Sequence, residues 1–276
     1  MSNSQWNGDE LDLDAYLDRI GLQGPLEPNL ETLRAMHRGH VAAIPFENLE
    51  VQLGRPVLLD IKALQDKMVA RRRGGYCYEQ NSLFAAALER IGFSVTGLGA
   101  RVRAGSDGVR PVTHMTLKVV ADGEEWLCDV GFGGEGMLEP LPFRDGAEAR
   151  QGEWSFGLAR EEKGVHVLRT LRADGWGDLY AFGPEDRFPV DYVVMNHYTS
   201  THPRSPFVSR VIVQQTDSAV RRTLVGSMFV NTRADGSVEQ RGVGAGELNE
   251  VLRSEFGIEL DEGEVATLAR VYSSRT

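Results

Sequence analysis

Cysteine is scarce: two in 276 residues, too few for a disulfide framework, and neither stands in a C-x-x-C pair of the kind that binds zinc or cycles redox state. Long apolar runs are missing as well. The longest tidy one, Leu83 to Leu88, falls far short of the roughly 18 residues that cross a bilayer, so no membrane partner is expected. Positive charge is in deficit, with 30 Lys and Arg against 40 Asp and Glu and a formal net charge of -10. A chain of that sign is repelled by nucleic acid and anionic lipid, so neither is an expected partner, and a polyanionic ligand must be met by local cations. The first residues, MSNSQWNGDELDLD, carry neither a basic start nor an apolar stretch. No signal or transit peptide is expected there, and the expected compartment is the cytoplasm. Repeats and low-complexity tracts are also lacking.

What remains is 41% hydrophobic and 25% charged, with 31 Gly and 11 Pro, the composition of a turn-rich globular chain. At this length about 70% of the unfolded surface leaves water on folding, enough for a core without staples, in one large domain or two to three small ones.

The first ninety residues have helical periodicity. Leu13, Tyr16, Leu17 and Ile20 follow the N-cap Asp12 and stop at Gly21; Leu30, Leu33, His37, Val41 and Ile44 follow Asn29 and stop at Pro45. A third helix starts behind Asp60 and fades into Arg71, Arg72, Arg73, Gly74 and Gly75, and a fourth runs from near Cys77 to Gly92. From Phe93 to about Phe188 the period becomes two, with strands at Val112–Val120, Glu125–Val130, Trp154–Arg160, Val165–Arg172 and Leu179–Phe182, the pattern of an antiparallel meander, sandwich or small barrel. The rest is mixed. A helix is expected near Pro189 to His197, then a Pro-rich loop Ser200 to Phe207, strands at Val208–Gln215, Arg221–Val225 and Met228–Asn231, and helices at Leu248–Phe256 and Val265–Val271. The expected organisation is three segments, 1–92, 93–190 and 191–276.

Cys77 is the most informative residue. Three arginines and two glycines precede it and a helix starts at it; nearby cations and the positive end of a helix both favour a thiolate. Gly74 and Gly75 allow a sharp bend and close approach of a ligand to the sulfur. A nucleophilic cysteine needs a base and an orienting group. One hairpin supplies both. Asp122-Gly123 is a two-residue turn, and folding the chain about it pairs Leu117 with Cys128 and Val119 with Trp126, which puts Met115, Leu117, Val119, Trp126, Cys128 and Val130 on one apolar face. The opposite face carries His114, Thr116 and Asp129. His114 and Asp129 are diagonal neighbours, with Cβ atoms within about 7–8 Å, near enough for a carboxylate to hold an imidazole N–H. The hairpin does not say how near either lies to Cys77. Cys128, on the apolar face, reads as a small buried hydrophobe.

These residues resemble the arylamine N-acetyltransferase family. RGGYCYEQN (Arg73 to Asn81) is similar to the family's active-site segment, written RGGxCxExN, and the likeness continues in IPFENLE (Ile44 to Glu50), Thr113-His114, DVGFGG (Asp129 to Gly134) and STHPRSPF (Ser200 to Phe207), in family order. The resemblance implies an α+β fold: an N-terminal helical domain carrying Cys77, a central antiparallel β-barrel carrying His114 and Asp129, and a C-terminal α/β lid, around a cysteine-protease-like catalytic core. It implies a Cys77, His114, Asp129 triad that moves an acetyl or short acyl group from coenzyme A to an arylamine, arylhydrazine or aminophenol nitrogen by a ping-pong route through a Cys77 thioester. It further implies Phe46, Phe132 and Phe207 around the acceptor, Thr113 and Gly133 where the acyl donor enters, and a Glu47–Arg72 ion pair beside the cysteine. Acetyl-CoA is then a cosubstrate, with no tightly bound cofactor and no metal, and a homodimer is left open. The long interdomain insertion of eukaryotic members is lacking, which points to the bacterial type. Cys128 stands where an aliphatic residue is more usual, and residues 221–276 carry no motif that transfers.

Other readings use the same residues. A cysteine hydrolase would share the triad, and some family members close macrolactams from carrier-protein thioesters. Gly131 to Gly136 is formally G-x-G-x-x-G, but Pro140 and Pro142 follow where a dinucleotide-binding fold needs a helix. His37 and His40 on one helix could seed a metal site but have no apparent third ligand. Arg71 and Arg103 are candidate cations for an anionic coenzyme, or simply solvated surface charge.

Overall fold

The computed structural model describes residues 4–105 and 108–273, so the outer ends of the first and third expected segments lie outside the described residues. Helices begin where the sequence supplies a cap. Asp12 and Asn29 each accept the backbone N–H three residues on, opening α1 (Leu13–Arg19) and α2 (Leu30–Ala43). A short strand β1 (Phe46–Glu47) and a one-turn helix α3 (Leu49–Gln52) follow, both too brief to show a period. Asp60 caps α4 (Ile61–Gln65), after which Asp66–Ala70 widen into i→i+5 bonding, with the Arg71 N–H reaching the Asp66 carbonyl at 2.9 Å. The fifth helix, α5 (Cys77–Ile91), is buried from Cys77 to Leu88 and ends at Gly92, whose φ of 109° is left-handed.

Eight strands then form one antiparallel sheet: β2 (Ser94–Val102), β3 (His114–Ala121), β4 (Glu124–Cys128), β5 (Leu141–Pro142), β6 (Ala147–Gln151), β7 (Trp154–Arg160), β8 (His166–Arg172) and β9 (Gly175–Arg187). Their spatial order is β5-β4-β3-β2-β9-β8-β7-β6, and the edge strands β5 and β6 meet, so the sheet is a nearly closed barrel. β9 is far longer than the sequence period suggested, because register shifts against β2 and β8 break its alternation. Two helices, α6 (Pro189–Thr201) and α7 (Pro206–Ser209), divide the stretch expected as a Pro-rich loop. A second antiparallel sheet is built from β10 (Ile212–Thr216), β11 (Val220–Val225), β12 (Met228–Arg233) and β13 (Val238–Gly242), and β1 joins it beside β10. Helices α8 (Leu248–Phe256) and α9 (Glu262–Ser273) complete this mixed helix-and-sheet α+β architecture.

The β3–β4 hairpin positions the site. Its register pairs Leu117 with Cys128 and Val119 with Trp126, and Asp122 (φ 51°) and Gly123 (φ 78°) take the left-handed conformations that a two-residue turn of this twist requires. Met115, Leu117, Val119, Trp126, Cys128 and Val130 bury one face against α5 and the other N-terminal helices. Each large apolar side chain there contributes about 1.5–3 kcal/mol by leaving water. The opposite face is buried too: Leu127 packs with Leu98, Phe156, Tyr180 and Phe182 inside the barrel, and His114 and Thr116 point the same way. A separate core holds the second sheet against α8 and α9, with Val213, Leu224, Leu252, Phe256 and Leu268 at its centre. Among the described residues no helix is long and apolar enough to cross a membrane.

Candidate active site

Cys77 is the first residue of α5 and is 3% exposed. The preceding turn is shaped by glycines. A Cβ on Gly74 would run into the Pro45 carbonyl, and one on Gly75 would sit 2.9 Å from the Glu79 Cβ. With no side chains in the way, β1 lies against the turn: the Glu47 N–H donates to the Gly75 carbonyl at 3.0 Å and the Gly75 N–H to the Pro45 carbonyl at 3.3 Å. Glu79 closes the helix start by accepting the Tyr76 N–H at 3.0 Å.

Beneath this turn lies a buried ion cluster. Glu47 Oε1 is 3.1 Å from Arg73 Nη2 and 3.7 Å from Lys67 Nζ, while Lys67 donates to Glu79 at 2.7 Å and Arg73 Nη1 lies 3.4 Å from Glu264. Burial drives the Glu79 carboxyl upward and works against ionised Glu47 too, but Lys67 and Arg73 hold Glu47 below the usual carboxylate range. The arginine that pairs with Glu47 is therefore Arg73, not Arg72 as the sequence resemblance implied. The backbone explains the difference. Arg72 takes a left-handed conformation, φ 51°, which turns its side chain to solvent and sends the next one inward, where Arg73 is 1% exposed.

The hairpin delivers the other two groups to Cys77. His114 opens β3, and Asp129 follows the last residue of β4. His114 Nε2 donates to Asp129 Oδ2 at 2.6 Å, and Cys77 stands near enough to the ring to act on its charge. Burial alone would lower the His114 pKa; the charge and hydrogen bond of Asp129, helped by Cys77, push it up to about 10. Burial likewise opposes ionised Asp129, yet His114, Asn81 and the Gly131 N–H hold its carboxyl below the usual range. Asp129 Oδ1 accepts from Asn81 Nδ2 and from the Gly131 N–H, each at 3.0 Å. The thiol itself points at the Thr113 carbonyl, 3.8 Å from the sulfur. Cys128 is different: fully buried among apolar groups, its thiol is pushed well above the ordinary value.

Asn81 carries more than the sequence reading gave it. One turn below Cys77 on α5, it binds the Met115 carbonyl at 2.8 Å and Asp129 through its amide N–H, and takes the Val130 N–H at 3.1 Å on its carbonyl. It clamps both hairpin strands to the helix that bears the sulfur. The available signal was its spacing of four from Cys77, which places both residues on one helix face.

The three phenylalanines gather nearby in two groups. Phe46 and Phe207 have ring centroids 5.8 Å apart, and Phe207 meets Tyr76 edge-on at 5.6 Å; Phe132 stands edge-on to His114 at 5.1 Å. Phe207 is fixed by its backbone, whose carbonyl accepts from Asn48 at 2.8 Å and from Gln52 at 2.6 Å. Phe46, Phe132, Gly133, Gln80 and Asp129 line a recess of about 20 Å³, room for a water molecule, so any aromatic ligand entering there must displace side chains. Gly133, at φ 90°, lies under Gln214 and Phe46 where no Cβ fits, and the Gly134 N–H donates to Gln214 at 3.2 Å. The G-x-G-x-x-G stretch is thus a loop docked on β10, with no helix behind it.

Neither arginine singled out for an anionic coenzyme is free. Arg71 bonds Asp66 at 2.8 Å, and Arg103 is held by Glu161 at 2.7 Å and Asp178 at 3.0 Å. Arg103 nevertheless lines a groove of about 700 Å³ together with Arg101, Arg110 and Arg187, with Glu185 also on its wall, and the groove reaches Val112 beside Thr113. There Arg101 and Arg110 donate to the backbone carbonyls of Arg110 and Gly105 and form no ion pair with an acidic side chain among the described residues. His37 and His40 are both buried with hydrogen-bond partners, and the described residues contain no group of three or more His, Cys, Asp or Glu able to hold a metal.

The chain is similar to known proteins over most of its length. A family described as N-acetyltransferase matches residues 29–265. The curated arylamine N-acetyltransferase of Mycolicibacterium smegmatis is 37% identical over 258 residues, which covers 91% of this chain and 94% of that protein. The solved arylamine N-acetyltransferase of Nocardia farcinica superposes with a TM-score of 0.91 at 48% identity, covering 96% of this chain and 95% of its own. That of Mycobacterium marinum in complex with CoA gives 0.86 at 34% identity, covering 94% and 99%.

Gly131 provides a direct test of how tightly the hairpin sits on the helix. A Cβ there would lie 2.7 Å from Cys77 Cα and 2.9 Å from Asn81 Nδ2. Gly131→Ala is expected to lower the thermal midpoint, the overpacking costing about 1–3 kcal/mol, and to slow alkylation of Cys77 by iodoacetamide. Unchanged melting and alkylation would mean that the strand end has room to spare.

Proposed function

Because the chain belongs to the arylamine N-acetyltransferase family, whose members are enzymes, we propose that it transfers an acetyl group from acetyl-CoA to an aromatic amine nitrogen through a thioester on Cys77. The observation that carries this reading is the buried 2.6 Å bond between His114 and Asp129, delivered beside Cys77, whose sulfur lies 3.8 Å from the carbonyl of the adjoining Thr113. A histidine held protonated there and the start of α5 both place positive charge beside the sulfur that this reading makes the nucleophile.

The cycle conserves its protons. The Cys77 thiolate attacks the thioester carbonyl and expels coenzyme A, which leaves as the thiol after taking the His114 proton. Acetylation removes the sulfur's negative charge, one of the causes that raise the His114 pKa, so the neutral ring becomes a better match to a base working near neutrality. The amine attacks the enzyme thioester, His114 accepts its proton, and the amide leaves with thiolate and imidazolium restored. Arylamines suit the second step because they are uncharged at neutral pH and flat enough to lie against Phe46, Phe132 and Phe207. Unpaired backbone N–H groups at a helix start, here that of α5 with Cys77's own among them, are the donors this reading assigns to the developing oxyanion. For the coenzyme's phosphates, Arg101, Arg110 and Arg187 provide the local cations that an acidic chain needs. The complex of the Mycobacterium marinum relative with CoA supports the choice of donor.

Intact-mass spectrometry of the protein mixed with acetyl-CoA alone should show the gain of one acetyl group, lost on adding an arylamine and never formed by Cys77→Ser. No mass gain would contradict the covalent route, and rapid loss to water without amine would favour a hydrolase. Asp129→Asn should cut kcat on the order of a thousandfold or more. Arg101→Glu should raise the KM for acetyl-CoA several-fold and leave that for the amine unchanged; an equal rise in both would place the phosphates elsewhere.

A further inference from the structure

The outermost strand of the second sheet, β13, pairs with β12 and with no other described strand, and all five of its residues are exposed. Its free edge has a definite pattern. The ladder pairs Phe229 with Arg241 and Asn231 with Glu239. Just beyond it, the Val243 N–H donates to the Ser227 carbonyl at 2.8 Å and the Arg233 N–H to the Ser237 carbonyl at 2.9 Å. In an antiparallel ladder the bonded residues alternate, so Glu239 and Arg241 turn their backbone groups to β12. The N–H and C=O groups of Val238, Gln240 and Gly242 therefore point out of the sheet.

This edge lacks the usual protections against pairing. It contains neither proline nor lysine, and its register against β12 runs without a bulge. What it carries is one charge of each sign. Glu239 and Arg241, two residues apart, share a face of the sheet, and neither forms an ion pair among the described residues; the Arg241 guanidinium lies 5.4 Å from the centre of the Phe229 ring.

An edge of this kind can bond to a copy of itself across a two-fold axis, and the register decides which side chains meet. Setting Gln240 opposite Gln240 of the second copy puts Val238 opposite Gly242 in both directions, so every outward N–H and C=O of the two strands is bonded. The same register brings Glu239 opposite the second copy's Arg241 on each side of the axis, in the closer, non-hydrogen-bonded pairs where side chains interact best. Sliding one strand by two residues loses bonds at the ends and sets either Glu239 against Glu239 or Arg241 against Arg241. The register that satisfies the whole edge is thus the one in which the charges attract.

We propose that β13 is a self-association edge, where a second copy of this chain docks across a two-fold axis and joins the two five-stranded sheets into one. The inference is independent of the catalytic reading. A strand of five residues covers less than the roughly 800 Å² per partner of a standard interface, so the association is weak and depends on concentration.

Sedimentation velocity over a series from about 1 µM to about 1 mM tests it, with a monomer expected at the dilute end and a growing dimer at the other. Gln240→Pro deletes the central outward N–H, which its own ladder does not use, and should weaken association about tenfold or more with unchanged circular dichroism. Arg241→Glu lines the seam with carboxylates alone and Glu239→Arg with guanidiniums alone, so each variant by itself should stay monomeric. An equimolar mixture of the two should associate, because each then supplies the charge that the other lacks. Should Arg241→Glu fail to fold, Gln240→Pro and Glu239→Arg decide. A wild type still monomeric at about 1 mM would overturn the proposal, as would a dimer that Gln240→Pro and Glu239→Arg leave intact. So would a mixture of folded charge variants no better associated than its components.

Discussion

A carboxylate and an imidazolium sharing one short bond in a site sealed from water are what the rest of this structure depends on. Asp129 is 1% exposed and His114 3%, so neither charge has solvent to stabilise it. Each is tolerated because the other is there, and because Asn81 and the Gly131 N–H occupy the remaining carboxylate oxygen. The arrangement turns an ordinary histidine into one that stays protonated well above neutrality. A cysteine placed at that ring meets a fixed positive charge, and the α5 N-terminus adds a second, weaker one. The chemistry of the site follows from electrostatics that no single segment could supply.

Several elements are spent on keeping that geometry. Helix α5 carries the sulfur and, one turn on, the Asn81 amide that grips both hairpin strands. The Glu47, Lys67, Arg73 and Glu79 cluster pins β1 to the glycine turn before Cys77, and Glu264 ties α9 into the same cluster. Buried ionic clusters of this kind are expensive to desolvate and gain little net stability, but losing one member strands its partners, so they fix one arrangement over its near alternatives. The Gly133–Gly134 loop docked on Gln214 and the Phe207 backbone held by Asn48 and Gln52 do the same for the aromatic walls.

Much of this was legible in the sequence, for definite reasons. Helix starts were marked by Asp12, Asn29 and Asp60, and the hairpin register followed from Asp122-Gly123 together with an apolar face that a one-residue slip would scramble. The adjacency of His114 and Asp129 came from that register alone. Their approach to Cys77 did not, because it depends on how a barrel strand docks on a helix that precedes it in the chain. Local dihedrals were also out of reach: the left-handed turn at Arg72 exchanges the roles of two neighbouring arginines, and nothing in an arginine triplet announces it. Strands β5, β6 and β13 escaped notice because two residues, Leu141–Pro142, are too few to show a period and the five of β6 and of β13 carry few large apolar side chains to alternate. His37, weighed in the sequence as half of a metal site, accepts the Asp129 N–H at 3.2 Å, a bond between distant segments that exists only after folding.

The most direct test of the central claim is nitrogen-15 NMR of the His114 ring across pH. The account predicts a ring protonated on both nitrogens at neutrality, titrating near 10 in the wild type and toward the ordinary histidine range in Asp129→Asn. A wild-type His114 that loses its proton near 6.5, as a solvent-exposed imidazole does, would contradict it.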